Sequence, residues 1–265
     1  MTDAPVRLEP VRLEIGPHVA RLILNRPERL NALNLAIWDA IPALLEKAAV
    51  DPEVKVLMVS GADASAFAAG ADIAEFEAIM AAGTADDYFG RMCKATRALA
   101  AFPKPTIAVI QGPCFGGACS VALCCDFRFA DDTAKFGITP ARLGIVYPLE
   151  DAKRLIEAVG VGPARDMLMT GRFLGPQEAL SLGLIDKCWP ADTVWDEAHA
   201  YAATLSGLSQ FSIRATKEIF GEILGGATEE TALSRRLFVD AFSGEDLPEG
   251  ARAFIEKRRP RFTFS

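Results

Sequence analysis

Two glycine-bearing turns place the strongest constraint on what this chain of 265 residues can fold into. The first has the sequence FAAGADI over residues 67–73, and the second has GPCFGGACS over residues 112–120. Each lies between an apolar, strand-like run and a helical pattern. Backbone N–H groups at the start of a helix have no partner within it and can donate to a ligand oxygen. Two such turns close together would form an oxyanion hole, which stabilises negative charge developing on a carbonyl oxygen.

Strand-like and helical patterns alternate along most of the chain, which is typical of an α/β fold. Apolar runs predict strands at residues 20–24, 56–60, 106–111, 126–130 and 184–188. From about Asp196 onward only helical patterns remain. We therefore predict a core at residues 1–195 and a helical region at residues 196–265, which must pack on the core or on another subunit. Pro42 lies inside the first helical pattern and predicts a kink or a break there.

Composition argues against several classes of protein. The net charge of −7 does not favour nucleic-acid binding. No apolar run reaches the length of about 18 residues that a membrane span needs, and the first residues lack the basic segment and apolar core of a signal peptide. The six cysteines match no zinc-binding spacing, so we expect no metal site. They are expected to be buried and reduced, which favours a cytoplasmic protein.

An ordered set of motifs over nearly the whole chain resembles the crotonase superfamily, the enoyl-CoA hydratase/isomerase group. The set comprises residues 24–28, 31–33, 66–73, 111–117, 125–126, 136–137, 143–145 and 253–258. The resemblance implies a spiral of ββα repeats followed by a helical trimerisation region, in homotrimers or in hexamers made of two trimers. It also implies an acyl-CoA substrate and no other cofactor. The thioester oxygen would then sit between the N–H groups of Ala71 and Gly117.

The same resemblance implies which residues contact coenzyme A. Cations near its trianionic 3′-phosphoadenosine diphosphate group would be favourable. The candidates are Arg26, Arg29 and Ala32 for the phosphates and pantetheine, Ala69, Asp72 and Ile73 for the adenine-side wall, and Phe254 and Lys257 for the nucleotide of a neighbouring subunit.

The chain departs from the hydratases of this family at the two positions that carry their catalytic glutamates. One glutamate follows the second oxyanion glycine by three residues, and the other follows Phe-Gly by four. Ser120 and Pro140 occupy these positions here. A proline side chain has no proton to give or take, and a serine without an adjacent base cannot replace a glutamate as general base near neutral pH. Hydration by two carboxylates therefore cannot operate in its usual form.

Residues 139–148 resemble the corresponding segment of methylmalonyl-CoA decarboxylase-type members, in which a tyrosine faces the acyl group. Tyr147 is that tyrosine here, while Ala71 and Ser120 stand where those members carry histidine and glutamate. Decarboxylation leaves its bond electrons in an enolate, which an oxyanion hole can hold without either glutamate. The sequence thus favours a decarboxylase-like lyase in which Tyr147 and Ser120 orient the acyl group.

Two other functions remain open. Glu150 and Asp151 follow Tyr147 closely and could be relocated acid/base residues of an enoyl-CoA hydratase or isomerase. Both also suit the first turn of a helix, where negative charge is favourable. Alternatively, the chain could bind acyl-CoA without catalysing a reaction. The sequence does not identify the acyl group.

Overall fold

The computed structural model describes residues 9–263, and within them strands and helices alternate as far as Trp189. The signal-peptide expectation and the outer ends of the two predicted regions fall on residues 1–8 and 264–265, outside the described residues. The strands are β1 (Val11–Ile15), β2 (Val19–Leu24), β3 (Val56–Gly61), β4 (Thr106–Ile110), β5 (Pro113–Phe115), β6 (Phe127–Asp131), β7 (Lys135–Gly137), β8 (Phe173–Leu174) and β9 (Lys187–Trp189).

Helices cover both faces of these strands and make up the C-terminal part of the chain. They are α1 (Leu35–Val50), α2 (Ile73–Ala82), α3 (Ala85–Ala100), α4 (Gly117–Leu123), α5 (Pro140–Leu143), α6 (Leu149–Val159), α7 (Val161–Thr170), α8 (Pro176–Ser181), α9 (Val194–Ser206), α10 (Gln210–Leu224), α11 (Ala232–Ser243) and α12 (Asp246–Glu256). Within residues 9–263, no helix is both long enough and apolar enough to cross a membrane.

Two sheets form the core. The larger has the order β1-β2-β3-β4-β6-β9, with β1 antiparallel to β2 and the other neighbours parallel. The smaller has the order β5-β7-β8. In chain order, β4 of the larger sheet is followed by β5 of the smaller sheet and then by α4, and β6, β7 and α5 repeat this pattern. The α/β class and the ββα repeats are thus confirmed.

The central strand β3 is buried on both faces, as expected for a parallel strand covered by helices. Successive side chains of a strand point to opposite faces. Leu57 and Val59 accordingly belong to the main apolar core with residues of α1, α3 and α4. Val56 and Met58 belong to a second cluster, which α9 completes from the other face.

Two local expectations are corrected by the structure. The break predicted at Pro42 is wrong, because α1 runs through this residue and the burial of Ile41 and Leu45 in the core offsets the hydrogen bond lost at the proline; a kink there stays a prediction. The strand predicted at residues 184–188 begins only at Lys187. Leu184 instead closes the end of α8, where its N–H donates to the Ala179 carbonyl at 2.9 Å.

The C-terminal helices divide into two kinds. The helix α9 packs on the larger sheet, whereas α10 to α12 leave large apolar side chains exposed, among them Phe238, Phe242, Phe254 and Ile255. An exposed apolar surface of this kind is typical of contact between subunits. The region boundary at residue 195 and the trimerisation surface stay predictions.

Candidate active site

The two glycine-bearing turns lie side by side in the fold. Ala68 and Cys114 form an isolated parallel bridge, in which the Ala68 N–H donates to the Pro113 carbonyl and the Phe115 N–H donates to the Ala68 carbonyl, both at 3.1 Å. Gly70 has a φ of 96°, and a Cβ at this position would lie 2.8 Å from the carbonyl oxygen of Phe115. Only glycine therefore lets the first turn approach the second this closely.

The N–H groups of Ala71 and Gly117 have no acceptor within the described part of the chain, although neighbouring groups are paired. The Leu33 N–H donates to the Gly70 carbonyl at 2.7 Å, and the Asp72 N–H donates to the Leu33 carbonyl at 2.9 Å, so the paired groups flank Ala71. Gly117 is the first residue of α4, where the helix supplies no acceptor. Both N–H groups can donate to an incoming oxygen.

A side chain at Gly117 would point toward the buried Leu33 and Trp38. A Cβ at this position would make ordinary van der Waals contacts, 3.4 Å from Leu33 Cδ1 and 3.5 Å from Trp38 Cζ2. The fold would therefore accept alanine here, in contrast to the position of Gly70. The reason for glycine at this position is therefore not steric exclusion by the surrounding core.

Three polar side chains meet one helical turn beyond Gly117. Ser120 of α4 is buried, and its Oγ lies 2.9 Å from the hydroxyl oxygen of Tyr147, within hydrogen-bond distance. Asp151 of α6, which is only 2% exposed, lies close enough to Ser120 for the serine side chain to lower the pKa of its carboxyl. Because a serine hydroxyl carries one proton and two lone pairs, Ser120 can link the phenol and the carboxylate in one chain.

Burial changes the titration of both partners of Ser120. It raises the pKa of Asp151 above 3.8, although the hydrogen bond with Ser120 and the charge of Arg154 partly offset the rise. Burial also raises the pKa of Tyr147 well above 10, and the nearby Asp151 adds to this effect. The phenol thus stays protonated near neutral pH, while the carboxyl titrates nearer to neutrality than a surface aspartate. Perturbed pKa values of this kind are concentrated at functional sites.

The structure separates the two acids that the sequence left as alternatives. Glu150 faces α3, where Arg97 Nη2 lies 2.6 Å from its Oε1, and hydrogen bonding to Arg97 lowers the pKa of Glu150. Asp151 lies toward Ser120 instead. Successive residues of a helix point about 100° apart, so one of two neighbours can reach the cluster while the other lies outside it.

Most of the candidate CoA residues surround the first turn. Arg26 Nη1 lies 2.9 Å from Asp72 Oδ2 and donates to the Ala32 carbonyl at 2.7 Å. This ion pair links the segment before α1 to the N-terminus of α2. Asp72 is also the N-cap residue of α2. Arg29 and Ile73 are exposed beside it. The geometry therefore gives Arg26 and Asp72 a structural contact and leaves Arg29 and Ile73 accessible to a ligand.

The remaining candidate CoA residues are Ala69, Phe254 and Lys257. Ala69 is partly exposed, and its N–H donates to the carbonyl of Leu30 at 2.9 Å. Phe254 lies on α12 with 85% of its surface exposed, and Lys257 follows the end of this helix. Their approach to a neighbouring subunit stays a prediction.

Two arginines near the cluster were missed by the sequence reasoning. Arg154 Nη1 lies 2.9 Å from Asp151 Oδ1, and its Nη2 lies 3.6 Å from Glu150 Oε2. The helical i,i+3 and i,i+4 spacing of these residues was a usable signal. No such local signal marks Arg97, because only the packing of α3 brings it to Glu150. Among residues 9–263, no group of His, Cys, Asp or Glu side chains is arranged to hold a metal ion.

Comparisons with known proteins agree with this architecture. The family model "Enoyl-CoA hydratase/isomerase" matches residues 14–264. The Mycobacterium tuberculosis protein "Probable enoyl-CoA hydratase echA8" is 38% identical over 96% of this chain and 98% of its own. "Crotonyl-CoA hydratase" of Syntrophomonas wolfei is 34% identical over 96% of this chain and 98% of its own.

Solved structures give the same result. A crystal structure of a Hyphomonas neptunium protein assigned to the enoyl-CoA hydratase/isomerase family has a TM-score of 0.93 at 45% identity, and the match covers 97% of this chain and 98% of that one. The fold and the matches together define an acyl-CoA enzyme of the crotonase type. The chain belongs to the enoyl-CoA hydratase/isomerase family, as its motifs had indicated.

Proposed function

We propose that this enzyme hydrates an enoyl-CoA thioester and that Asp151 performs the proton transfers. The observation that carries the proposal is the buried Asp151 carboxylate, which lies beside the hydrogen-bonded hydroxyls of Ser120 and Tyr147 one helical turn from Gly117. It supplies a carboxylate where Ser120 and Pro140 have replaced the usual pair. The two relatives described above are named as hydratases, which supports addition of water as the reaction.

In the proposed reaction, the ionised Asp151 takes a proton from water while the water oxygen bonds to acyl C3. The electrons of the double bond move onto the thioester oxygen, and the N–H groups of Ala71 and Gly117 stabilise the resulting enolate. Asp151 then returns the proton to C2, which restores the carboxylate and the thioester carbonyl. The sum is one water added across one double bond, with no other reactant. Ser120 and Tyr147 hold the carboxylate and the water in place.

We further propose that the enzyme works as a homotrimer or hexamer and needs no cofactor besides the CoA thioester. Exposed apolar side chains on α10 to α12 support association, and Phe254 and Lys257 would then reach the nucleotide bound by the next subunit. The cysteines of the described chain are free thiols, which supports a cytoplasmic location. Light scattering of the purified enzyme tests the assembly: we expect three or six chains per particle, and a monomer would contradict it.

Decarboxylation, which the segment around Tyr147 had favoured, has weaker support. The substrate carboxylate would have to lie near Tyr147, where the buried Asp151 adds a second negative charge. Like charges in a poorly solvated site repel strongly. A neutral enoyl group does not meet this obstacle.

The test is a panel of thioesters with products identified by mass spectrometry. Crotonyl-CoA, 3-hexenoyl-CoA and methylmalonyl-CoA report hydration, double-bond migration and decarboxylation, respectively. We expect hydration by the wild type and a loss of about 10²- to 10⁴-fold in kcat for Asp151→Asn, the range typical of a general acid or base. Release of CO₂ from methylmalonyl-CoA, or tight binding of every thioester without product, would overturn the proposal.

A stability control separates this loss from unfolding. Because the pKa of Asp151 is raised in the fold, its favourable contribution is fully present below pH 3.8 and is lost as the pH rises through the raised value. Asparagine resembles the neutral carboxyl, so Asp151→Asn should be as stable as the wild type at pH 7. Thermal unfolding at pH 7 measures this. A much lower Tm for the variant would mean that its inactivity says nothing about catalysis.

A further inference from the structure

A series of ion pairs connects the surface of α3 with the buried Asp151. Arg97 is 63% exposed and contacts Glu150 at 2.6 Å. Glu150 Oε2 in turn lies 3.6 Å from Arg154 Nη2, and Arg154 Nη1 lies 2.9 Å from Asp151 Oδ1. Arg154 is 18% exposed and Asp151 is 2% exposed. The guanidinium of Arg154 therefore stands between the surface pair and the carboxylate that faces the site.

We propose that Arg154 is a positioning residue, which holds Asp151 in its ionised form and fixes the direction of its carboxylate. This inference rests on the proposed function of Asp151. A buried carboxylate without a cation would take up a proton and lose its ability to act as a base. An arginine stays protonated at every relevant pH. Its contact with Oδ1 also fixes the orientation of the carboxylate plane, which a charge at a distance would not do.

Every charged or titratable group found around Asp151 is consistent with this role for Arg154. On α6, Glu150 raises the pKa of Asp151 and Arg154 lowers it, and Ser120 of α4 lowers it by hydrogen bonding. Burial raises the pKa of Tyr147, which precedes α6, of Cys124, which follows α4, and of Cys93 on α3, so these groups are neutral near pH 7. Two further neighbours are engaged elsewhere: the Sγ of Cys119 on α4 donates to the Cys114 carbonyl, and Arg97 on α3 pairs with Glu150.

Two of these neighbours are excluded as alternative sources of charge. Burial raises the pKa of Cys124 to about 12, so its thiol is uncharged. Arg97 is a cation, but its guanidinium is engaged by Glu150 on the outer side of α6. Among residues 9–263, Arg154 is thus the cation that contacts Asp151 directly.

The test measures kcat/KM for hydration against pH in Arg154→Gln, with Arg97→Gln as the matched control. The ascending limb of such a profile reports ionisation of the essential base in the free enzyme. Removing the positive charge of Arg154 raises the pKa of Asp151, so the limb should move to higher pH and kcat/KM at pH 7 should fall by on the order of tenfold. Arg97→Gln should leave the limb where it is.

The variant Arg154→Lys keeps the inference testable if Arg154→Gln does not fold. Lysine retains the charge but not the planar fork of donors. We expect its ascending limb to coincide with that of the wild type while its kcat is lowered and its KM is unchanged. A limb displaced to higher pH in spite of the retained charge would overturn the inference.

A second readout needs no turnover. The C=O stretch of the protonated Asp151 carboxyl, identified by its absence from the infrared spectrum of Asp151→Asn, follows the titration directly. We expect protonation to persist to higher pH in Arg154→Gln than in the wild type. If the titration of Asp151 is unchanged in Arg154→Gln and Asp151→Asn is inactive, the role of Arg154 is refuted while the proposed function is retained. Full activity of Asp151→Asn would instead refute the proposed function.

Discussion

The pair of turns and the proton-handling cluster beside it are built on different principles. The turns are held together backbone to backbone, through the bridge of Ala68 and Cys114 and the close approach at Gly70. The cluster is made of side chains from separate elements, namely Ser120 of α4, Tyr147 before α6 and Asp151 of α6. The first region keeps the features expected of the family, whereas the second has lost both usual glutamates.

This difference shows which part of the site can change without loss of the fold. A backbone donor depends on the conformation of the chain, so moving it would require the turn itself to be rebuilt. A carboxylate depends only on a side chain that reaches the same volume from some element. Relocation of the acid to Asp151 leaves the turns intact, and it lets one scaffold carry different proton-transfer chemistry.

The largest effect is expected from Gly117→Ala, in the turn region. Gly117→Ala adds a methyl group beside the N–H that would donate to the thioester oxygen, and we expect this crowding of the donor to lower kcat/KM by about 10²- to 10³-fold, the loss typical of one missing oxyanion donor. The Cβ would meet only ordinary contacts, and alanine is a better helix former than glycine. Steady-state kinetics and thermal unfolding should therefore show a large loss of activity with an unchanged Tm.

Gly70→Ala is the matched contrast. Gly70 has a positive φ, and its Cβ would lie 2.8 Å from the Phe115 carbonyl oxygen, so the variant should lose about 1–3 kcal/mol of stability. Denaturant unfolding measures this loss. Full activity in Gly117→Ala would show that the thioester oxygen does not bind at that N–H group, whatever the result at Gly70.

The sequence predicted the turn region well because its signals are local. Glycines at fixed spacing, followed by a helical pattern, specify both the bend and the N-terminal donor of Gly117. The short strands β5, β7 and β8 escaped prediction because two or three residues carry no periodicity. The choice between Glu150 and Asp151 was also out of reach, since it depends on how α6 is rotated against α3 and α4.

A smaller effect is expected in the cluster from Tyr147→Phe. The change keeps the ring and removes the hydroxyl, whose oxygen lies 2.9 Å from Ser120 Oγ. Loss of one hydrogen bond of about 0.5–1.5 kcal/mol corresponds to a reduction of kcat by up to roughly tenfold. Stopped-flow hydration of crotonyl-CoA measures the change. A reduction as large as that of Asp151→Asn would make the phenol, rather than the carboxylate, the essential acid.

The smallest effect is expected at the acid outside the cluster. Glu150→Gln removes an ion pair with the largely exposed Arg97, so stability should fall by only about 0.2–1 kcal/mol and kcat should change by less than about twofold. Glu150 also raises the pKa of Asp151, and its removal should therefore move the ascending limb of kcat/KM slightly to lower pH. This direction is opposite to the one expected for Arg154→Gln. A loss of activity equal to that of Asp151→Asn would place the catalytic acid at residue 150. The cluster of Ser120, Tyr147 and Asp151 would then not be the region that handles protons.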